Sequence, residues 1–239
     1  MNTLNKIKII VKKLHFKSNK PPIGSNHQET FDNIYKTNYW KSKESVSGPG
    51  STINATKNLV DKLKKYFEIN NIINIYDIPC GDFNWIKNAL SEKIEYLGAD
   101  IVKQITTKNQ ILFGSKNINF INFDLINDNL KDLHQFDLII IRDCFVHFSY
   151  DDIRMAFKNI ITTKSELIMM TTFTEERPNE NIITGYWRPL NFMLSPFNFP
   201  PPINLIIENS ESGQYNDKSL GVWRINDIKK LDFISGKNI

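Results

Sequence analysis

Residues 72–85 read IINIYDIPCGDFNW, a short apolar run that ends abruptly in Asp77, Pro79, Cys80, Gly81 and Asp82. Ile72, Ile73, Ile75, Tyr76 and Ile78 are β-branched or aromatic with little alternation, the pattern of a strand buried on both faces of a parallel sheet. Pro79 has no N–H to give to a ladder, so the strand stops there. Gly81 lets the backbone turn tightly or approach a ligand closely, and the polar residues after it are read as opening a helix whose free N–H groups face that ligand. An ordinary strand–turn–helix in an α/β core has the same local pattern, so the reading depends on what stands further along.

A second short strand, YLGADI over residues 96–101, ends in Asp100, 19 residues after Gly81. In doubly wound folds an acid at the tip of the second strand, about 20 residues past the glycine loop, accepts hydrogen bonds from ribose hydroxyls. Gly81 stands alone, with Asp82 and Phe83 where a dinucleotide fingerprint needs further glycines, so no pyrophosphate cradle is expected. Two more acids fit the alternation of strands and helices: Asp124 in INFDL and Asp137 opening FDLIIIRDC.

With those residues in place, the chain resembles the class I S-adenosylmethionine-dependent methyltransferases. The resemblance implies an α/β, Rossmann-like, doubly wound sheet of seven mostly parallel strands in one domain. It implies that Asp77, Pro79, Cys80, Gly81 and Asp82 lie under the methionine end of the cofactor, with Arg142 across the crevice. Asp100 and Ile101 hold the ribose, and Asp124 with Leu125 lies near the adenine. The family's glycine-rich first loop has become Pro79-Cys80-Gly81-Asp82 here, which implies a different hold on the cofactor's carboxylate. The turn SGPGST, with Gly48 and Ser51, and nearby Trp40 resemble the family's cofactor-covering N-terminal segment.

The phrases YWKSKESVSGPGST, DIPCGDFNW, RDCFVHF, NIITGYWRPLN and DKSLGVW resemble a narrower bacterial family associated with surface-polysaccharide synthesis, over roughly residues 38–225. This implies O-methylation of a sugar hydroxyl on a nucleotide-linked or lipid-linked glycan precursor. The alternatives are methylation of a small metabolite's nitrogen or carboxylate, or a nucleotide-fold protein that binds without catalysis. Methyltransferases of nucleic-acid amines carry Asn or Asp, two prolines and an aromatic after the fourth strand; Arg142-Asp143-Cys144 is different, and no nucleic-acid partner is expected.

The 239 residues, 41% hydrophobic, are ample for one core. No run of about 18 apolar residues and no signal-type segment occurs, and the only cysteines, Cys80 and Cys144, end strands, so a cytoplasmic protein with reduced thiols is expected. The net charge of +4 divides unevenly: residues 1–20 hold six lysines and no acid, leaving 24 basic against 26 acidic residues elsewhere. Within this arm Leu4, Ile7, Ile10, Val11 and Leu14 recur at helical spacing, predicting an amphipathic helix. It either docks on the domain or a partner subunit, or lies on an anionic membrane face.

Residues 21–52 are read as linker and cover, and residues 53–239 as the catalytic domain, opening with a helix at 53–67 capped by Ser51 or Thr52. A fourth strand at 136–141, a helix at 150–161 and a fifth strand at 167–173 follow, and two last strands at 205–207 and 221–225 complete the sheet. The aromatic and proline-rich stretch at 179–202 is read as an acceptor-binding region or lid, with Tyr186, Trp187, Arg188 and Asn191 as its contact residues. Alcohol methylation benefits from a general base. His147, just past the fourth strand, has an ordinary pKa of about 6.5 suited to that role. Asp143 is its rival or its orienting partner, and His147 merely closing the pocket is the plain alternative. No metal is assigned: Asp143, Asp151 and Asp152 are the nearby acids, and the last two read as solvated first-turn residues of a helix.

Overall fold

β1 (Asn74–Asp77) lies inside a seven-stranded sheet with β2 (Glu95–Asp100), β3 (Ile118–Asn122), β4 (Leu138–Ile141), β5 (Leu167–Phe173), β6 (Asn204–Ile207) and β7 (Lys218–Arg224). The computed structural model describes residues 20–133, 135–208 and 215–236. The strand order is β3-β2-β1-β4-β5-β7-β6. β1 to β5 run parallel, while β7 is antiparallel to both β5 and β6. This is the Rossmann-like, mostly parallel sheet expected from the sequence.

The continuous apolar runs resolve into two faces because side chains alternate along a strand. Tyr76, Ile139, Ile141 and Met170 pack in one layer with Phe145, Phe157 and Trp223. Ile75, Leu138, Ile140 and Met169 pack in the other, against Leu59, Leu63 and Phe67. Those last three form the buried stripe of α2 (Ile53–Ile69), defined here after α1 (His27–Lys36). Thr52 caps α2, its hydroxyl accepting from the Ala55 N–H at 3.3 Å. α3 (Lys103–Phe113) joins β2 to β3, and α4 (Tyr150–Ile160) joins β4 to β5. Ser149 caps α4 by accepting from the Asp152 N–H at 3.1 Å. Burial of Ile153, Phe157 and Ile160 along α4 stabilises the packing by about 1.5–3 kcal/mol per side chain. Two single-turn helices, α5 (Ile225–Ile228) and α6 (Asp232–Ser235), follow β7.

Three expectations are corrected. No α-helix follows Gly81; the chain makes turns and a three-residue 3-10 turn, Ile86–Asn88. Phe83 adopts a left-handed φ of 58° and buries its ring 5.0 Å from Tyr96, 5.3 Å from Phe113 and 5.0 Å from Phe120. That anchor turns the backbone away from a helical path. Second, the stretch read as linker contains α1, capped by Asn26, whose side chain accepts from the Glu29 N–H at 2.8 Å. Third, β3 ends at Asn122, so Asp124 stands in the loop beyond it. The basic arm and its expected helix, residues 1–19, lie outside the described residues. Among the described residues no helix is long and apolar enough to cross a membrane.

Candidate active site

A crevice opens at the carboxyl ends of β1, β2 and β4, where strand order reverses on either side of β1 and ligands of open α/β sheets bind. Its floor is Asp77, Pro79, Cys80 and Gly81; one wall is Asp100, Ile101, Val102 and Leu125; the other is Arg142, Asp143 and His147. Phe31 and Tyr35 of α1, with Trp40, Ser47 and Ser51, close it from above.

The Asp100 carboxylate accepts the Gly81 N–H at 3.1 Å and the Val102 N–H at 2.9 Å, one on each oxygen. Each oxygen keeps a lone pair for a ligand. Burial pushes the Asp100 carboxyl up to about 6, against the pull of those two N–H groups. Asp77 accepts the Tyr96 hydroxyl at 2.6 Å and is pushed up to about 7, again by burial. Gly81 has φ +53°, and a Cβ there would stand 2.1 Å from the Ser47 hydroxyl. A side chain is therefore excluded by backbone conformation and by space.

Asp82 faces the covering segment rather than the crevice. Its carboxylate accepts from the Ser45 hydroxyl at 2.9 Å, the Val46 N–H at 2.9 Å and the Ser47 hydroxyl at 3.4 Å. Asn84 adds bonds to Glu44 at 2.7 Å and the Ser51 carbonyl at 3.1 Å. These contacts strap residues 44–51 across the first loop, and Gly48 belongs to the strap without lining the crevice. Asp124 does line it, although its carboxylate is engaged by Ile126 N–H at 2.9 Å and Asn127 Nδ2 at 2.7 Å. Leu125 lines the crevice beside it.

Arg142 is buried. It forks onto Glu208 at 3.0 and 2.8 Å, donates to the Gly50 carbonyl at 2.9 Å, and lies 4.8 Å over the Trp85 ring. Asp143 has a left-handed φ of 54°, with its N–H donating to Thr171 Oγ1 at 2.8 Å. A non-glycine residue in that region is held against a local cost and is common at functional sites. Its carboxylate pairs with Lys218 at 2.6 Å and Arg142 at 3.2 Å. Burial works against ionisation, but these cations outweigh it and hold Asp143 well below the usual carboxylate range. Asp143 is a fixed anion and a poor proton acceptor.

His147 sits in the 3-10 turn Phe145–His147 that leads into α4. Its Nδ1 is 3.0 Å from the Tyr186 carbonyl. A carbonyl only accepts, so Nδ1 carries the proton and Nε2 keeps its lone pair. Burial pushes the imidazole down to about 4, and Trp40 packs 5.3 Å from its ring. The side chain is neutral at neutral pH, and the ordinary value near 6.5 expected from the sequence does not hold, because burial disfavours the charged form.

The residues expected to contact an acceptor are placed differently. Arg188 donates to the Phe145 and Phe148 carbonyls, both at 2.5 Å, and to the Glu180 carbonyl at 3.1 Å. Asn191 accepts the Met193 N–H at 3.0 Å and is buried. Both side chains satisfy loop backbone and do not line the crevice, because a buried irregular loop needs partners for its polar groups. Trp187 packs 6.1 Å from Phe173 and 5.1 Å from Tyr215, and Tyr186 supplies the carbonyl that orients His147. Asp151 pairs with Arg154, and Asp152 with His27, Ser149 and Thr184. Among the described residues no three metal-ligating side chains cluster. Sequence reasoning missed Lys218 and Glu208, since nothing in their spacing ties the last strands to the fourth.

No family model and no curated sequence matches the chain. Solved structures do. Human N-acetylserotonin methyltransferase, crystallised with S-adenosylmethionine, superposes with a TM-score of 0.60 at 12% identity over 91% of this chain and 66% of that one. The Burkholderia thailandensis 1,6-didemethyltoxoflavin-N1-methyltransferase, with bound 1,6-didemethyltoxoflavin and S-adenosylhomocysteine, gives 0.58 at 11% over 86% and 92%. The N-terminal domain of EvdMO1, crystallised in the presence of S-adenosylhomocysteine and D-fucose, gives 0.52 at 11% over 84% and 99%. At these identities the likeness is one of fold: the chain has the fold of S-adenosylmethionine-dependent methyltransferases.

Proposed function

We propose that the protein is an S-adenosylmethionine-dependent methyltransferase that O-methylates a sugar hydroxyl of a nucleotide-linked or lipid-linked glycan precursor. The observation that carries this reading is a single crevice holding both a ribose-type carboxylate, Asp100, and a neutral histidine with its lone pair free, His147. The residues suit the cofactor. Asp100 has unused lone pairs for ribose hydroxyls, and Ile101, Val102 and Leu125 offer an apolar wall to the adenine.

When bound beside Asp100, S-adenosylmethionine would supply an electrophilic methyl group to an acceptor oxygen. The chain's own part is to place the acceptor and take its proton. His147 Nε2 accepts that proton, with the Tyr186 carbonyl holding the ring by Nδ1–H. Asp143, kept ionised by Lys218 and Arg142, accepts a hydrogen bond without taking up the proton. Trp40 packs on the histidine ring. The sugar assignment draws on this base and on the D-fucose present with the similar EvdMO1 domain.

Calorimetry tests the cofactor. S-adenosylhomocysteine binds and NAD does not, and Asp100→Ala weakens the binding by about 2–3 kcal/mol, the scale of lost charge-assisted hydrogen bonds. Preference for NAD, or unchanged affinity in a folded Asp100→Ala variant, would falsify the reading. Methyl transfer from labelled cofactor onto a panel of nucleotide sugars then identifies the acceptor.

A further inference from the structure

The acceptor end of the crevice has an unusual balance of hydrogen-bonding groups. Asp143 Oδ2 takes both cations, Lys218 Nζ at 2.6 Å and Arg142 Nη1 at 3.2 Å. Its other oxygen, Oδ1, has only the long contact to the Thr171 hydroxyl at 3.4 Å. The cations are themselves committed elsewhere: Arg142 to Glu208 and the Gly50 carbonyl, and Lys218 to Glu208 at 3.3 Å. Within this quartet the two positive and two negative charges cancel, and Asp143 is the most open member, with 26% of its side chain exposed against 4% for Arg142, 14% for Lys218 and 1% for Glu208. The other residue presented here, His147, offers Nε2, which has no hydrogen-bond partner among the described residues.

The crevice therefore shows the acceptor two hydrogen-bond acceptors, a carboxylate oxygen and an imidazole nitrogen. Both belong to the five-residue stretch 143–147, and each feels the other electrostatically. Asp143 is aimed by backbone, not by chance of rotamer: its left-handed φ is pinned by Thr171 Oγ1. A ligand that satisfies both groups brings two hydrogen-bond donors. A carboxylate or phosphate there would meet the Asp143 anion with its cations already spent, and a lone hydroxyl would leave Oδ1 desolvated and unpaired.

We propose, on the footing that the protein is a methyltransferase, that its acceptor is a vicinal diol: one hydroxyl donates to Asp143 Oδ1 while its neighbour, the methylated one, hands its proton to His147 Nε2. The first hydroxyl keeps its proton throughout. Asp143 thereby selects the substrate and sets which of two adjacent oxygens faces the histidine, and the product is a mono-O-methyl ether of the diol. Any phosphate of a nucleotide- or lipid-linked precursor lies away from this end.

The test uses the full chain with S-adenosylhomocysteine bound, and methyl hexopyranosides as probes. Saturation-transfer NMR compares each glycoside with its monodeoxy analogues, its 2-amino analogue and its uronate. At least one vicinal diol gives transfer, deoxygenation of either adjacent carbon weakens binding tenfold or more, and the uronate carboxylate does not substitute. Asp143→Asn, which keeps shape but turns the anion into an amide, brings diol and monodeoxy sugar to within about twofold of each other. The deoxy series on the unaltered protein decides the matter by itself if that variant does not fold. Equal binding of diol and deoxy sugars, preference for the amino sugar or uronate, or no transfer to any diol overturns the proposal. Failure to bind S-adenosylhomocysteine overturns the methyltransferase reading instead, so the two failures are distinguishable.

Discussion

His147 is where a single hydrogen bond decides chemistry. The Tyr186 carbonyl at 3.0 Å selects the tautomer, and burial holds the imidazole near 4 rather than its ordinary 6.5. If His147 is the base, kcat on an alcohol acceptor stays flat from about pH 5.5 to 8, and His147→Ala lowers it about 10²–10⁴-fold with cofactor affinity nearly unchanged. An inflection in kcat near 6.5, or a loss below tenfold, sinks the assignment. Stability moves in a defined direction: the folded pKa is depressed, so the unfolded chain binds more protons between about 4 and 6.5. The contribution of His147 is present above 6.5 and lost as pH falls through that window, on the order of 3 kcal/mol. His147 and Asp143 were legible because both follow an unmistakable strand. The charge environment of Asp143 was not, since it depends on Lys218, 75 residues away in the chain. Arg188 and Asn191 were misread for a related reason: a surface-binding side chain and one that feeds loop carbonyls have the same composition.

Among the elements, the strap over residues 44–51 carries a prediction that follows from its bonds to the first loop. Asp82→Ala removes three acceptor contacts to Ser45, Val46 and Ser47. Amide exchange in residues 45–53 then accelerates at least tenfold, while β4 and β5 keep their protection. Gly81→Ala adds a left-handed penalty of about 1–2 kcal/mol to a Cβ approach of 2.1 Å to Ser47. It weakens cofactor binding as well as the strap. Unchanged exchange in the first variant would mean that the strap is held by Asn84 and Arg142 and not by Asp82. β5 was readable because its LIMMTTF run stands between the polar residues Glu166 and Thr174, and the strand starts and stops where the run does. α1 was not, because HQETFDNIYK is short and mostly polar, and of its few apolar residues Phe31 and Tyr35 line the crevice. The helix expected after Gly81 failed because a buried aromatic, Phe83, outweighed the polar pattern around it.

For the whole molecule, charge separates the basic first 20 residues from a body that is slightly acidic. Deleting residues 1–20 should leave turnover on a soluble acceptor nearly intact; a collapse without unfolding would place the arm in the active site or a subunit contact. The sheet order has a different kind of consequence. β7 is inserted antiparallel between β5 and β6, and it delivers Lys218 to Asp143 while the end of β6 delivers Glu208 to Arg142. Synthesis proceeds from the N-terminus, and pairings distant in sequence close last and slowly. The nascent chain can therefore assemble β1 to β5 on the ribosome with its crevice present but electrostatically unfinished, an Asp143 still missing its lysine. The charge quartet is complete only with the final hairpin, so a chain cut before Lys218 would leave Asp143 without the lysine that the last strand brings.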